Sequence, residues 1–275
     1  MRSDFVPILS LLRERRGFAA SAYRPDMLQR RMEQRLARLG CPDGLAYLKI
    51  LEADPAENDR LLNALTINVS GFFRDALAFE GLGQVILPRL VADKAATPGA
   101  SLRIWSAGCA CGEEPYSVAM LVADLLQRTE GKPAVSIFGT DIDGDALAQA
   151  QEGLYDTQSL EEARFGVVKR HFRPLGERFA VNPEIRAMVC FSAHDLFDPS
   201  HLFPVESIFG HFDLVLCRNV LIYIKPERQG EIFDRLTRAL APGGTLMLGR
   251  AEGLPPSHQG GFASAVPFAN IHRKL

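Results

Sequence analysis

The stretch SLRIWSAGCACGEEPYSVAMLVADLL, residues 101–126, narrows the possible folds of this chain more than any other. Leu102, Ile104 and Trp105 carry the apolar run of a buried strand, Gly108 and Gly112 bracket a turn of small residues, and Pro115 opens a helix. Val118, Leu121, Val122 and Leu125 then recur at i, i+3, i+4 and i+7, the spacing of one buried helix face. Strand, glycine turn and helix in that order form the first unit of a doubly wound α/β sheet, and such a turn holds a nucleotide-like ligand. The acids Glu113 and Glu114 occupy the helix N-terminus. They repel a phosphate there, so the spacing speaks against NAD or ATP and for a ligand with hydroxyls or positive charge.

The chain is 275 residues long, enough for one large or two ordinary domains. A net charge of −2 implies no global preference for nucleic acid, but the charge is uneven. Between Met1 and Arg38 there are nine arginines against four acids. The five cysteines are odd in number, and neither a CxxC nor a His pair at metal-ligand spacing accompanies them. Free thiols in a reducing cytoplasm are expected rather than disulfides or zinc. No apolar run approaches the roughly 20 residues that span a bilayer, and Phe5–Leu12, followed at once by Arg13, Glu14, Arg15 and Arg16, reads as a helix rather than a signal segment.

Residues 1–80 carry only helical signals. A helix starts at Arg24-Pro25-Asp26, bears Leu28, Met32, Leu36 and Leu39 as its apolar stripe, and stops at Gly40. At 100° per residue, Arg24, Arg31, Arg35 and Arg38 share one arc beside that stripe. A solvated face is the commoner meaning of such an arc; a docking surface for an acidic partner is the sharper one. Asp43–Leu51 and Asp54–Leu65 read as short helices, and LTINVSGFFRD (65–75) fits neither helix nor strand. Phe79–Leu90 is expected as one connecting helix. Further strands are expected at Val135–Gly139, Val189–Phe191, Asp213–Cys217 and Thr245–Leu248, with helices at Asp145–Gln151 and Glu227–Leu240. Residues 164–186 break the alternation and read as an inserted hairpin, and the tail from Ala265 as an edge hairpin.

On this reading Glu113, Asp141, Asp195 and Asn219 sit at the C-terminal ends of parallel strands, the edge where open α/β sheets bind ligands. Any one such residue more often caps the next helix. Their convergence on one edge, without a GxGxxG, suits S-adenosylmethionine, which carries a sulfonium, an ammonium and a ribose but no phosphate.

The blocks TINVSGFFRD (66–75), WSAGCACGEEPYSVA (105–119), GTDID (139–143), FDLVLCRNVLIYI (212–224) and LAPGGTLMLG (240–249) resemble the CheR family. These are S-adenosylmethionine-dependent methyltransferases that esterify glutamate side chains of bacterial chemoreceptors. The resemblance covers nearly the whole chain. It implies an all-α N-terminal receptor-recognition domain with its linker (1–80) and a Rossmann-like class I methyltransferase domain (81–275). A small antiparallel β-subdomain is then expected near 165–188. The resemblance also implies roles. Asn68, Ser70 and Arg74 belong to a segment closing over the cofactor, with Arg74 facing its carboxylate. Glu113 faces the ammonium, Asp141 the ribose, and Asp195 with Leu196 the adenine. Arg218 and Asn219 line the methyl-donor end, and Tyr223 lies near the incoming glutamate unless it is simply a core tyrosine. The arc of Arg24, Arg31, Arg35 and Arg38 meets cytoplasmic receptor helices, and the product is S-adenosylhomocysteine. Ile67, Ser70 and Gly249-Arg250-Ala251-Glu252 depart from the family's usual residues.

A glutamate with its ordinary pKa near 4.3 is already an anion at pH 7, so attack on a sulfonium methyl needs no general base. Alignment and exclusion of water remain to be supplied. Two other readings stay open. A nucleic-acid methyltransferase predicts an Asn-Pro-Pro-Tyr-like run after the fourth strand, where Cys217-Arg218-Asn219-Val220 stands instead. A non-catalytic cofactor-binding scaffold is kept open by Arg250-Ala251.

Overall fold

A computed structural model describes residues 1–66, 70–207 and 211–275. Two compact units divide the chain: Met1–Ile67 with Leu221–Gln229, and Asn68–Val220 with Gly230–Leu275.

The first unit is helical: α1 (Val6–Arg16), α2 (Pro25–Leu39), α3 (Gly44–Ala53) and α4 (Pro55–Leu65). Proline sits in the first turn of α2, where a missing N–H costs nothing. At its end Gly40 takes φ 66, and the N–H groups of Gly40 and Cys41 return to the carbonyls of Ala37 and Leu36. Asp43 and Asp54 cap α3 and α4 through their side chains. The stripe of α2 is buried at Met27, Leu28, Met32 and Leu36. Leu39 departs from expectation: it is 41% exposed, because the helix ends there.

The second unit begins with one long helix in three parts, α5 (Ala76–Gly81), a π-turn (Leu82–Ile86) and α6 (Leu87–Ala95). The regular helix expected here is interrupted where Pro88 offers no N–H to the carbonyl of Gln84. There follow β1 (Ser101–Ala107), α7 (Glu113–Leu126), β2 (Ala134–Asp141), α8 (Gly144–Glu152), β3 (Leu154–Tyr155), α9 (Phe165–His171), β4 (Phe172–Leu175), β5 (Arg178–Val181), α10 (Pro183–Arg186), β6 (Val189–Ala193), β7 (Phe212–Cys217), α11 (Pro226–Ala239), β8 (Leu240–Leu248), α12 (Pro256–Gln259), β9 (Phe262–Val266) and β10 (Ile271–Lys274). The division between units falls within α11.

The main sheet runs β6-β2-β1-β7-β8-β10-β9. Its first five strands are parallel, and β10 and β9 join antiparallel as the tail hairpin. This is the Rossmann-like α/β arrangement expected. The order reverses between β1 and β7, so the switch point opens beside the residues that follow these two strands. Central β7 is buried along its whole length, as a strand covered on both faces must be. Strand β8 starts earlier than its apolar run: Leu240 already pairs with Phe212, and an irregular register then lets Pro242-Gly243-Gly244 pass before Thr245 pairs with Leu214.

Two boundaries need correction. The small antiparallel sheet is three-stranded, β3-β5-β4, and recruits Leu154–Tyr155 from outside residues 165–188, with α9 packed into the same insertion. Residues 70–80, placed with the helical domain on sequence grounds, belong to the second unit. Phe72, Phe73, Ala78 and Phe79 are buried in its core, and Phe72 makes edge contacts with the rings of Tyr155 and Phe172.

Candidate functional site

Strand register gathers the candidate residues. Ala107 pairs with Thr140, Asp141 with Ala193, Ser106 with Leu216, and Cys217 with Leu248. The segments leaving β1, β2, β6, β7 and β8 therefore emerge along one edge. Glu113, Asp141, Asp195, Leu196, Arg218 and Asn219 all lie there.

The glycine turn shapes the edge. Gly108 and Gly112 hold φ 76 and 89, where only glycine is unstrained. A Cβ on Gly112 would lie 2.7 Å from that of Ala150, so the turn also needs the space. The Ala110 N–H donates to Asp141 Oδ2 at 2.8 Å and the Asp143 N–H to Oδ1 at 3.0 Å. Burial raises the Asp141 carboxyl above its usual range against these two donors. Each oxygen keeps a lone pair for a hydroxyl. Asp143, by contrast, caps α8 by accepting from the N–H groups of Asp145 and Ala146. Asp141 is thus the rim acid of the pair and Asp143 the helix cap. The His194 N–H joins β6 to this group through the Asp141 carbonyl, and Asp195 Oδ1 accepts the N–H of Phe197. Burial raises the Asp195 carboxyl as well.

The two acids opening α7 part company. Glu114 accepts from the Ser106 hydroxyl at 2.7 Å and from Arg218 Nη1 at 3.3 Å. Glu113 is 3% exposed, and burial pushes its carboxyl up to about 7, against the pull of the Ser70 hydroxyl and Arg74. Among the described residues its Oε2 is buried without a hydrogen-bond partner. A buried carboxylate oxygen left open at a ligand-binding edge is costly unless something arrives to donate to it. An ammonium group is the donor this acid suits.

Above Glu113 runs the turn of residues 70–75, held by Phe72 N–H to the Ser159 carbonyl (2.9 Å), Phe73 N–H to Ser117 Oγ (3.0 Å) and Asp75 N–H to Glu162 (2.9 Å). Phe73 and Asp75 take left-handed φ values of 57 and 67. Arg218 is buried. Its Nη2 donates to the Arg74 carbonyl at 3.0 Å and lies 3.6 Å from Asp75, and its guanidinium stands over the Phe79 ring. It clamps the turn that carries Arg74. Asn68 lies outside the described residues.

In the first unit Tyr223 is half-buried in the 3-10 turn Leu221–Tyr223, its carbonyl accepting the Arg24 N–H. Of the four arginines, Arg24 and Arg38 are exposed and Arg31 is half-buried. Arg35 needs correction as a docking residue. Its Nε and Nη2 fork onto Glu57 at 2.9 and 2.7 Å, and the Tyr47 hydroxyl donates to the same carboxylate. Its arc on α2 points partly at α4, so this arginine holds helices together.

Glu252 was missed on sequence. It receives the N–H groups of Gly249 (2.7 Å), Val220 (2.8 Å) and Asn219 (2.9 Å). The signal was present: it is one more acid just after a parallel strand. All five cysteines are free thiols, and no described helix is long and apolar enough to cross a membrane.

Comparison with known proteins follows the same division. The family model "CheR methyltransferase, SAM binding domain" matches residues 68–266, and "CheR methyltransferase, all-alpha domain" matches residues 3–66. The chemotaxis protein methyltransferase of Escherichia coli (strain K12) is 33% identical over 256 residues, 91% of this chain and 84% of its own. Chemotaxis protein methyltransferase 1 of Pseudomonas aeruginosa is 39% identical over 203 residues, 71% of this chain and 70% of its own. An uncharacterized 104.1 kDa protein in the hypE 3' region of Rhodobacter capsulatus is 36% identical over 84% of this chain, which spans only 23% of that protein.

Proposed function

Because the chain belongs to the CheR methyltransferase family, whose larger domain binds S-adenosylmethionine, we propose that it methylates glutamate carboxylates on cytoplasmic helices of chemoreceptors. The products are a glutamate methyl ester and S-adenosylhomocysteine, and the reaction belongs in the cytoplasm as a step of chemotactic adaptation. The observation that carries the cofactor assignment is the open, buried Oε2 of Glu113, on one rim with Asp141 and Asp195. The names of the relatives from Escherichia coli and Pseudomonas aeruginosa support the chemotactic setting.

When bound, S-adenosylmethionine supplies a methyl group on a positively charged sulfur. The chain's residues do the rest. Glu113 accepts from the amino-acid ammonium, and Arg74, with Ser70 and Asn68 in the same segment, takes the carboxylate. Asp141 accepts from the ribose hydroxyls, and Asp195 and Leu196 hold the adenine. Asn219 stands at the methyl-donor end, and Arg218 positions the turn of Arg74 through the Arg74 carbonyl. Tyr223 orients the incoming side chain. Arg24, Arg31 and Arg38 attract the acidic receptor helix.

The receptor glutamate is an anion at pH 7, its ordinary pKa being about 4.3, so no residue has to remove a proton. Held at Glu113, Asp141 and Asp195, the cofactor would supply its methyl to a carboxylate oxygen, with the sulfur retaining the electron pair of the carbon–sulfur bond. The enzyme's contribution is to align oxygen, carbon and sulfur and to keep water out. Each methylation removes one negative charge from the receptor helix.

The test mixes the protein with methyl-labelled cofactor and receptor cytoplasmic fragments. Label released by base as methanol is the expected result. Base-stable label on nucleic acid, or cofactor binding without transfer, would overturn the reading.

A further inference from the structure

We infer that Glu252 is a positioning residue, which sets Asn219 against the cofactor by gripping the backbone of the turn after β7 and the end of β8. The inference rests on the proposed S-adenosylmethionine site. Asn219 takes φ 59, a left-handed conformation that asparagine tolerates better than most residues but does not favour. Three N–H groups meet at this bend, those of Asn219, Val220 and Gly249, and all three donate to the one carboxylate, at 2.9, 2.8 and 2.7 Å. Without Glu252 they would be donors without acceptors at a half-buried rim, and the bend would have nothing to hold its shape.

The surroundings are cut to fit the same bend. A Cβ on Gly249 would lie 2.8 Å from the Asn219 nitrogen, and one on Gly108 would overlap Val220 Cγ2. The turn is therefore wedged between the glycine turn after β1 and the end of β8, with side chains absent on both sides. The anchor itself is braced: the Asn270 amide donates to the carbonyls of Gly249 (2.7 Å) and Glu252 (3.0 Å). Immediately before the bend Arg218 is held by Glu114, so two acids, one in the first turn of α7 and one after β8, fix the loop at both sides of Asn219. Asn219 is half-buried, and among the described residues the hydrogen bond that fixes it runs from its backbone N–H to Glu252 and not from its carboxamide. A rigid bend that presents a side-chain amide at the switch point of the sheet is what a ligand contact requires.

In Glu252→Gln, an amide NH2 must face at least one of the three N–H donors, so the bend shifts without loss of side-chain volume. Calorimetry with S-adenosylhomocysteine on the full chain tests this, using Glu252→Gln, Asn219→Ala and the double variant, with melting followed by circular dichroism. Each single change is expected to weaken binding about tenfold, and the pair no more than Asn219→Ala alone, because both remove one contact. A double variant weakened by the product of the two effects would overturn the inference. So would a Glu252→Gln that binds like the wild type, or one that only lowers the melting temperature. If Glu252→Gln melts below the assay temperature, Glu252→Asp, which keeps the charge but withdraws it by one methylene, takes its place in the same cycle. A wild type that binds the ligand yet methylates no receptor carboxylate would overturn the proposed substrate, while the coupling is read from binding alone.

Discussion

Two glutamates in this molecule are equally hidden, each 3% exposed, and their chemistry is opposite. Glu57, in the helical unit, meets the Arg35 fork, the Tyr47 hydroxyl and, at 3.4 Å, Arg60. Burial raises its carboxyl, but these donors outweigh burial and hold it below the usual range. Glu113, at the sheet edge, has the Ser70 hydroxyl and the field of Arg74, and burial prevails, to about 7. Depth alone does not decide what a buried acid is for. An acid whose oxygens are filled from within the chain is a fastening; one with an oxygen left open is half of a contact whose other half comes from outside.

The largest test of that contrast removes a partner of Glu57. Arg35→Ala leaves a buried carboxylate without its fork and is expected to lower stability by about 3–5 kcal/mol in urea unfolding. A loss below about 1 kcal/mol would mean that the pair is no more than a surface contact.

The next change carries the opposite sign. Glu113→Gln keeps the shape and removes the charge that burial disfavours. In the native state the Glu113 carboxyl binds its proton up to about pH 7, while unfolded it releases it near 4.5, so folding takes up protons between these values. Stability from this residue therefore falls as pH rises from about 4.5 to 7 and stays low above. Glu113→Gln without ligand should gain stability at pH 8, by an amount on the order of 3 kcal/mol, and little at pH 4. The same variant should lose roughly ten- to a hundredfold in S-adenosylmethionine affinity, because a charged acceptor is gone. A variant less stable at pH 8 with unchanged affinity would place Glu113 in the same class as Glu57.

Asp141 stands between the two, with both oxygens holding backbone N–H groups and lone pairs to spare. Asp141→Ala is expected to cost at least about tenfold in cofactor affinity, about 1.4 kcal/mol, by calorimetry. Unchanged affinity would remove it from the site and leave it as a tie between β2 and the glycine turn.

The sheet edge was readable because its signals are local. An apolar run names a strand, and the acid after it is then at the carboxyl end whatever the tertiary detail, which is how Glu113, Asp141 and Asp195 came to one rim. Helix stops such as Gly40 depend only on nearby backbone. Other features depend on residues far away in sequence. Arg35 lies on the same arc as Arg38, but the acid that claims it is 22 residues on, and a helix wheel does not show what packs against it. Strand β3 has two residues, too few for any periodicity, and exists because Arg178–Val181 offers it an edge. The role of Glu252 is not legible in its own neighbourhood, because its partners include the backbone N–H groups of a turn more than thirty residues earlier.

Arg35 and Arg38 give the contrast its smallest and most direct form, since α2 carries both. Arg38 is exposed in the last turn, where a cation favours the helix dipole by about 0.3–1 kcal/mol. Arg38→Ala should therefore change stability by less than about 1 kcal/mol, where Arg35→Ala costs several times that. On the proposed function, its effect is expected in receptor binding instead. The KM for receptor fragments should rise a few-fold at low salt, and the difference should shrink as ionic strength rises and the Debye length falls to about 8 Å near 0.15 M. An Arg38→Ala change that is silent in KM at every salt concentration would take this arginine out of the docking face and leave it to the helix end alone.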